Sequence, residues 1–310
     1  MPNKSVTVKV PAKINLQLSV GPLNPDGFHE VVSVFQAVSL FDEVKISKAK
    51  PGSGLALKFS GNNAAKDLPT NSENLAWQAA ELIAKKFNIS SDLLIEVKKE
   101  IPVAGGMAGG SANAAAVIVG LDALFDLKIS RAEQMTLGAT LGSDVPFSIM
   151  GNVAIGRGRG DQLNSVLSRG TYMWVLAFSN QGLSTPAVYK ECDRLRSGMN
   201  ITNPSVSDSL LQALVNSDAK ALGKALVNDL QAAACSLKPA LRMILEVGNE
   251  YGALGSIVSG SGPTVAFLVS DPDHALDLTV ALSGSGVVSN AISVNAPVPG
   301  AKIIESGIDK

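Results

Sequence analysis

Apolar residues occupy alternate positions near the start of the chain. They run Val6, Val8, Val10 and then, beyond Pro11-Ala12-Lys13, Leu16, Leu18, Val20. A period of two predicts strands on both sides of a break at Pro11. Asn24-Pro25-Asp26-Gly27 is a strong turn signal. Further short strands are predicted around 44–46, 55–59 and 94–97. Between the last two, Leu75, Ala79, Leu82 and Ile83 have helical spacing, so Asn74 to Phe87 is predicted helical.

A second helix is predicted to start near Ser111, because Ala114, Val117, Ile118, Leu121, Leu124 and Phe125 form a stripe at three-and-four spacing. Ser130 and Glu133 make a capping box for a third, which should stop at Gly142. A strand at 153–155 leads into a glycine-arginine turn over 156–160. Beyond a boundary near 165–171, residues 172–178 read as a buried strand and helices fill roughly 185–251. Strands near 256–258, 265–269 and 291–294 and a helix near 274–283 close the pattern, and Pro297-Val298-Pro299-Gly300 reads as a loose tail. This mixture predicts an α+β chain in two domains, 1–165 and 166–310, with no internal repeat.

The length of 310 residues exceeds the usual single domain, which supports the division. A net charge of -1, from 26 basic and 27 acidic residues, provides no one-signed field. Nucleic acid and anionic membrane are therefore excluded as main partners, and any phosphorylated ligand must be held by backbone N–H groups and a few cations. Two cysteines are too few for a disulfide framework, and with no leader-like segment a reducing cytoplasm is the expected setting. The uncharged stretch 101–121 is long enough to imitate a membrane span. Its proline and glycines suit a loop followed by a helix instead.

That stretch holds the strongest chemical signal: Pro102, Val103, Ala104, Gly105, Gly106, Met107, Ala108, Gly109, Gly110, Ser111, Ala112 and Asn113 run straight into a helix. Glycine admits positive φ and close approach of a ligand to the main chain, and a helix N-terminus favours an anion. A polyphosphate fits better than the bland alternative of a packing turn. No Lys-Ser/Thr follows Gly110, so this is not a P-loop, and the spacing is not that of a dinucleotide fold. Protein-kinase signatures are also missing. Lys13 sits beside Pro11 and near Asn15, and Asp144 lies in Gly142-Ser143-Asp144-Val145-Pro146, where the proline suits the first turn of a helix. Individually each has an ordinary reading, a solvated lysine and a helix-start carboxylate. Together they could take a proton from a hydroxyl nucleophile.

In order along the chain, Pro11 to Leu16, the glycine loop 102–113 and Val258-Ser-Gly-Ser-Gly-Pro263 resemble the three motifs of the GHMP kinases. The resemblance covers nearly the whole chain. It implies a ribosomal-protein-S5-like α/β domain followed by a ferredoxin-like α+β domain, with ATP on the second motif and the third motif on the active-site floor. Ala108 and Ala112 stand where the family more often has Gly and Ser, small for small.

Asp26-Gly27-Phe28-His29 resembles the D-G-Y/F-H segment of a branch that recognises cytosine, and Thr185 to Tyr189 resembles the segment facing it. The implied grip stacks the base between Phe28 and Tyr189, with His29 on its polar edge. By the same resemblance Asp144 is the catalytic base and Lys13 its charged neighbour. Asn15 and Thr185 contact substrate, Asn74 lies near adenine, and Ser111 reaches the phosphates. The implied reaction moves the ATP γ-phosphate to the 2-hydroxyl of a cytidylyl-diphosphate sugar alcohol, in non-mevalonate isoprenoid-precursor synthesis. Mg²⁺ is the expected cofactor, held by phosphate oxygens and water because the loop has no acidic residue. The expected assembly is a monomer or weak homodimer. The rival readings are another kinase of the family and a silent binding protein of the same fold. The silent protein would be expected to lack Lys13 or Asp144.

Overall fold

In the computed structural model of the chain, which describes residues 4–25, 27–65, 67–179 and 181–308, the period-two pattern runs unbroken through Pro11. Strand β1 (Lys4–Leu23) is 20 residues long and antiparallel to β2 (His29–Lys48), which is equally long. The break expected at Pro11 is not there. The ladder steps from Pro11↔Phe41 to Ala12↔Val38, so the extra residues sit on β2 and the alternation of β1 survives a residue that cannot donate. Even-numbered Val8, Val10, Ala12, Ile14 and Leu16 are buried in the core, while Lys13, Asn15 and Gln17 alternate with them.

The remaining elements of the first half are β3 (Leu55–Ser60), α1 (Leu75–Phe87), β4 (Leu93–Lys98), α2 (Gly109–Phe125), α3 (Arg131–Ala139), α4 (Val145–Met150), β5 (Val153–Arg157) and β6 (Gln162–Ser165). Parallel β3 and β4 require a crossover, which α1 supplies. Asn74 caps α1 by accepting from the Ala76 N–H, and Ser130 caps α3 by accepting from the Glu133 N–H at 3.2 Å. Helix α3 ends at Ala139 rather than Gly142, where the Thr140 hydroxyl donates to the Leu137 carbonyl at 2.7 Å. Helix α2 is buried almost all round between α1 and the sheet, which explains its apolar sequence. No helix among the described residues is long and apolar enough to cross a membrane.

The second half contributes β7 (Tyr172–Phe178), α5 (Thr185–Leu195), α6 (Asp208–Asn216), α7 (Ala219–Ala225), β8 (Val227–Asn228), α8 (Gln231–Leu237), α9 (Ala240–Glu250), β9 (Gly255–Val258), β10 (Val265–Val269), α10 (Pro272–Gly284), β11 (Asn290–Ala296) and β12 (Lys302–Ile308). The larger sheet runs β12-β1-β2-β4-β3, with β5 on β2, β6 on β5 and β8 on β1. The smaller sheet, β11-β7-β10-β9, is antiparallel throughout. Its strands are apolar on both faces because both are covered. Trp174, Leu176 and Val294 enter the core shared with β1 and β2, while Val175, Ala177 and Phe267 pack with Val188, Ile244 and Leu278.

The two halves therefore share one core. The Trp174 indole N–H donates to Gln36 Oε1 at 2.9 Å across it. The chain ends away from the smaller sheet, since β12 pairs with β1 on the edge of the larger one. Residues 297–300 are not a loose tail. The Val298 N–H donates to the Ala37 carbonyl at 3.1 Å, and its own carbonyl accepts from Asn152 at 2.7 Å.

One carboxylate fixes the entry to the glycine loop. Asp42 is fully buried at the point where β2 passes β4. Its Oδ1 accepts from the Glu100 and Ile101 N–H groups at 2.7 and 2.8 Å, and its Oδ2 accepts from Asn113 Nδ2 at 2.7 Å and from the Lys99 ammonium. Removing it would leave a buried ammonium without its counter-charge. Asp42→Ala is expected to lower stability by about 3–5 kcal/mol in urea unfolding. A loss under about 1 kcal/mol, the value of an exposed pair, would contradict this role.

Candidate active site

Lys13 occupies the centre of a cleft of about 420 Å³ walled by β1, the glycine loop, the start of α4 and the turn after β9. It is only 5% exposed. Its Nζ donates to Asn15 Oδ1 at 2.7 Å, Asn15 Nδ2 donates to Ser33 Oγ at 2.7 Å, and that hydroxyl donates to the Gln17 carbonyl at 2.8 Å. This relay fixes the ammonium, and Asp144 Oδ2 lies 3.9 Å from it. Burial holds Lys13 below the usual lysine range, with Asp144 pulling the other way. Asp144 precedes α4 and makes no capping bond, so its carboxylate is not committed to the helix.

The glycine loop is bound from both sides. The Lys13 N–H donates to the Met107 carbonyl at 3.3 Å, the Thr264 N–H to the Gly105 carbonyl at 3.3 Å, and Ser259 Oγ to the Gly106 carbonyl at 3.0 Å. Gly106 has φ +75°, and a Cβ there would overlap the Ser259 carbonyl oxygen. Only glycine fits. Helix α2 begins at Gly109, one half-turn before the expected Ser111, because Ala108 takes the left-handed conformation at φ +59°. No side chain caps this end, so its first N–H groups face the cleft without an intrahelical partner. Pro102 to Gly106, Ala108 to Ser111, Asn113 and Asn74 all line the cleft. Met107 and Ala112 do not, since their side chains are buried in the core.

A second cleft of about 740 Å³ adjoins the first and shares Val31, Ser143, Arg159, Thr185 and Tyr189 with it. Phe28 and His29 line it, whereas Asp26 of the same segment lies outside the described residues. The His29 and Tyr189 rings stack at 5.5 Å between centroids. The His29 Nδ1–H donates to the Gly21 carbonyl at 2.9 Å and Nε2 lies 3.3 Å from Asp193 Oδ1, so the ring is held against Tyr189. Burial, and then the charge of Asp144, push the Tyr189 phenol up to about 12. Thr185 Oγ1 is 2.8 Å from Ser261 Oγ, which ties the start of α5 to the turn after β9.

Sequence reasoning missed Asp42, Lys99, Ser143 and Arg159. Lys99, which lines the first cleft, reads as the end of an ordinary amphipathic strand. Arg159 was visible only as part of a glycine-rich turn, yet its guanidinium lies 3.9 Å from the Phe28 ring centroid.

A glycine loop opening into a helix N-terminus, a Lys–Asp pair beside it and an adjoining aromatic cleft suit a small-molecule phosphotransferase. The profile "GHMP kinases N terminal domain" matches residues 74–152, and "GHMP kinases C terminal" matches 210–287. The chain belongs to the GHMP kinases. It is 48% identical over 306 residues to the 4-diphosphocytidyl-2-C-methyl-D-erythritol kinase of Rhodococcus jostii, covering 99% of this chain and 97% of that one. With the kinase of the same name from Mycobacterium tuberculosis it shares 49% over 306 residues, covering 99% and 95%. A crystal structure of 4-(cytidine 5'-diphospho)-2C-methyl-D-erythritol kinase superposes with a TM-score of 0.76 at 29% identity, over 94% of this chain and 99% of that one.

If turnover requires a charged Lys13, its depressed proton affinity has a measurable consequence. The pH profile of kcat/KM, which reports the free enzyme, is expected to fall on its alkaline side below the usual lysine range. The profile of kcat should fall later, because bound phosphates favour the charged ammonium. Folding also releases a proton between the lowered folded value and the unfolded one, so this site's contribution to stability rises with pH across that window. A kcat/KM limb at or above the ordinary lysine value would contradict the dependence of turnover on a Lys13 held below that range.

Proposed function

We propose that this chain transfers the γ-phosphoryl group of ATP to the 2-hydroxyl of 4-diphosphocytidyl-2-C-methyl-D-erythritol, within non-mevalonate isoprenoid-precursor synthesis. The observation that carries the reading is the pairing of the two clefts. One has a phosphate cradle with Lys13 and Asp144, and the adjoining one has aromatic walls suited to a base.

In this reading Asp144 accepts the hydroxyl proton as the oxygen attacks the γ-phosphorus, and the bond to the bridging oxygen breaks with its electron pair leaving on ADP. Lys13 holds the hydroxyl and stabilises charge on the transferring group, while Asn15 keeps the ammonium in place. The first N–H groups of α2 and the Ser111 hydroxyl hold the nucleotide phosphates, and Asn74 stands on the adenine side. Phe28 and Tyr189 take the cytosine between them, and His29 fixes Tyr189 and meets the base edge beside Asp193.

Mg²⁺ fits as a hard ion that takes oxygen ligands, and the Asp144 carboxylate is not committed to capping α4. Asp144 and Ser111 are the oxygen donors that would hold it, and it would supply charge neutralisation across the phosphates. The same reading gives a cytoplasmic monomer or weak homodimer, with an ATP-binding half at 1–165 and a second half at 166–310.

The deciding assay is ADP release with this acceptor, with homoserine and mevalonate as controls. Turnover of either control in its place would overturn the reading. Asp144→Asn should lower kcat by about 10²–10⁴-fold with ADP binding retained. Normal turnover in that variant would remove the base. Tyr189→Ala should raise the acceptor KM by about 5- to 100-fold, the value of one base–aromatic stack, and leave the ATP KM unchanged. Equal effects on both substrates would remove the sandwich.

A further inference from the structure

The acceptor proposed above carries its negative charge in the middle. A diphosphate joins the cytidine to the methylerythritol whose hydroxyl is phosphorylated. If the base lies on Phe28 and Tyr189 and the hydroxyl at Asp144, that diphosphate must cross the zone shared by the two clefts. A cation belongs there.

Among the described residues, Lys13, Lys99 and Arg159 are the Lys and Arg side chains lining the first cleft, and Arg159 and Lys190 those lining the second. Lys13 and Lys99 do not line the second cleft, where the base would stack. Lys190 lies in the outer cleft alone. Arg159 alone of these four lines both spaces.

The turn that carries it is also fixed. Arg159 sits between Gly158 at φ +69° and Gly160 at φ +94°, in the turn joining β5 to β6. That turn is pinned to β2, where the Val31 N–H donates to the Gly158 carbonyl at 2.9 Å, and it is closed by Gly160 N–H donating to the Arg157 carbonyl at 2.9 Å. The Gly160 position packs on the Phe35 ring, where a Cβ would come within 3.4 Å of Cζ. The guanidinium lies 3.9 Å from the Phe28 centroid. A guanidinium carries five N–H donors in a planar fork that suits phosphate oxygens.

We propose that Arg159 binds the diphosphate bridge of the acceptor with its guanidinium held on Phe28, so that one side chain links the base-stacking ring to the phosphates and sets the reach from cytosine to hydroxyl. This rests on the cytidylyl reading of the second cleft. It makes Arg159 a specificity residue that favours nucleoside diphosphates over free nucleosides.

Titration of cytidine, CDP and ADP into the wild type, Arg159→Gln and Arg159→Lys separates the possibilities. Arg159 is exposed, so the variants should fold, and thermal melting checks it. In Arg159→Gln, CDP affinity should fall about 10- to 100-fold, the loss of charge-assisted hydrogen bonds. Cytidine and ADP affinities should stay within about twofold, because neither depends on that contact. Arg159→Lys should recover part of the CDP affinity through its charge. An equal loss for cytidine and CDP would mean that Arg159 only props Phe28, and a loss for ADP that it serves the nucleotide. Unchanged CDP binding would remove the contact altogether. Each of these overturns the proposal while leaving the cytidylyl reading intact. A wild type that binds neither cytidine nor CDP overturns that reading and this proposal with it.

Discussion

The approach of two backbones at Gly106 sets the geometry of the site. The glycine loop and the turn after β9 come from opposite halves of the chain, yet there is no space for a Cβ between Gly106 and the Ser259 carbonyl. Gly260 is tight for the same reason, since a Cβ there would lie 3.2 Å from Lys13 Nζ and 3.1 Å from the Gly106 carbonyl oxygen. Three segments distant in sequence thus meet within contact distance, with Lys13 beneath them. The shared core under Trp174 and β12 on the edge of β1 keep the halves from drifting, so the cradle is built by the whole fold.

Two buried lysines show how the same ion types serve different ends. Lys99 has its carboxylate in direct contact, and Asp42 is saturated by three further donors. Nothing is left over for a ligand's proton, and the pair braces the loop. Lys13 stands 3.9 Å from Asp144, beyond hydrogen-bond distance, and Asp144 makes no capping bond. Its ammonium is oriented by a neutral amide instead of being neutralised by an ion. In the proposed reading a slack pair of this kind leaves room for a hydroxyl between its members, and its depressed lysine would regain charge stabilisation from bound phosphates.

The strands, the main helices and their caps were legible because their signals are local. Asn74, Ser130 and the stripe after Ser111 announce helices through spacing and side-chain chemistry alone. Pro11 misled because proline usually ends a strand, whereas here β2 absorbs the irregularity. The unbroken even-numbered alternation from Val6 to Val20 was the better guide. Strand β12 left little trace, since Lys302 to Gly307 is exposed and gains its order from the free edge of β1. In the site, motif residues were legible because glycine and proline leave marks in sequence. Asp42 and Arg159 were not, because a carboxylate bracing four donors and a guanidinium resting on a ring are defined only by partners far along the chain. The left-handed Ala108 is a similar case. Alanine carries no sequence mark for a conformation that costs it about 1–2 kcal/mol, and the packed loop imposes it.

In the proposed reading the arrangement of the clefts separates recognition from chemistry. The aromatic walls come from the β1–β2 connection and from α5, while the proposed reacting pair comes from β1 and the residue before α4. Among the described residues, Val31, Ser143, Arg159, Thr185 and Tyr189 belong to both spaces. Contacts on a remote part of a substrate accelerate a reaction only if they constrain the reacting part. A rigid zone between the two is what converts grip into orientation. Here that zone is pinned at each end, by the Val31–Gly158 hydrogen bond on one side and the Thr185–Ser261 contact on the other. A base held on Tyr189 is then at a fixed remove from Asp144, close enough that the carboxylate's charge reaches the phenol. The net charge of -1 agrees with that reading, in which phosphates would be met by a few placed donors and need no general field.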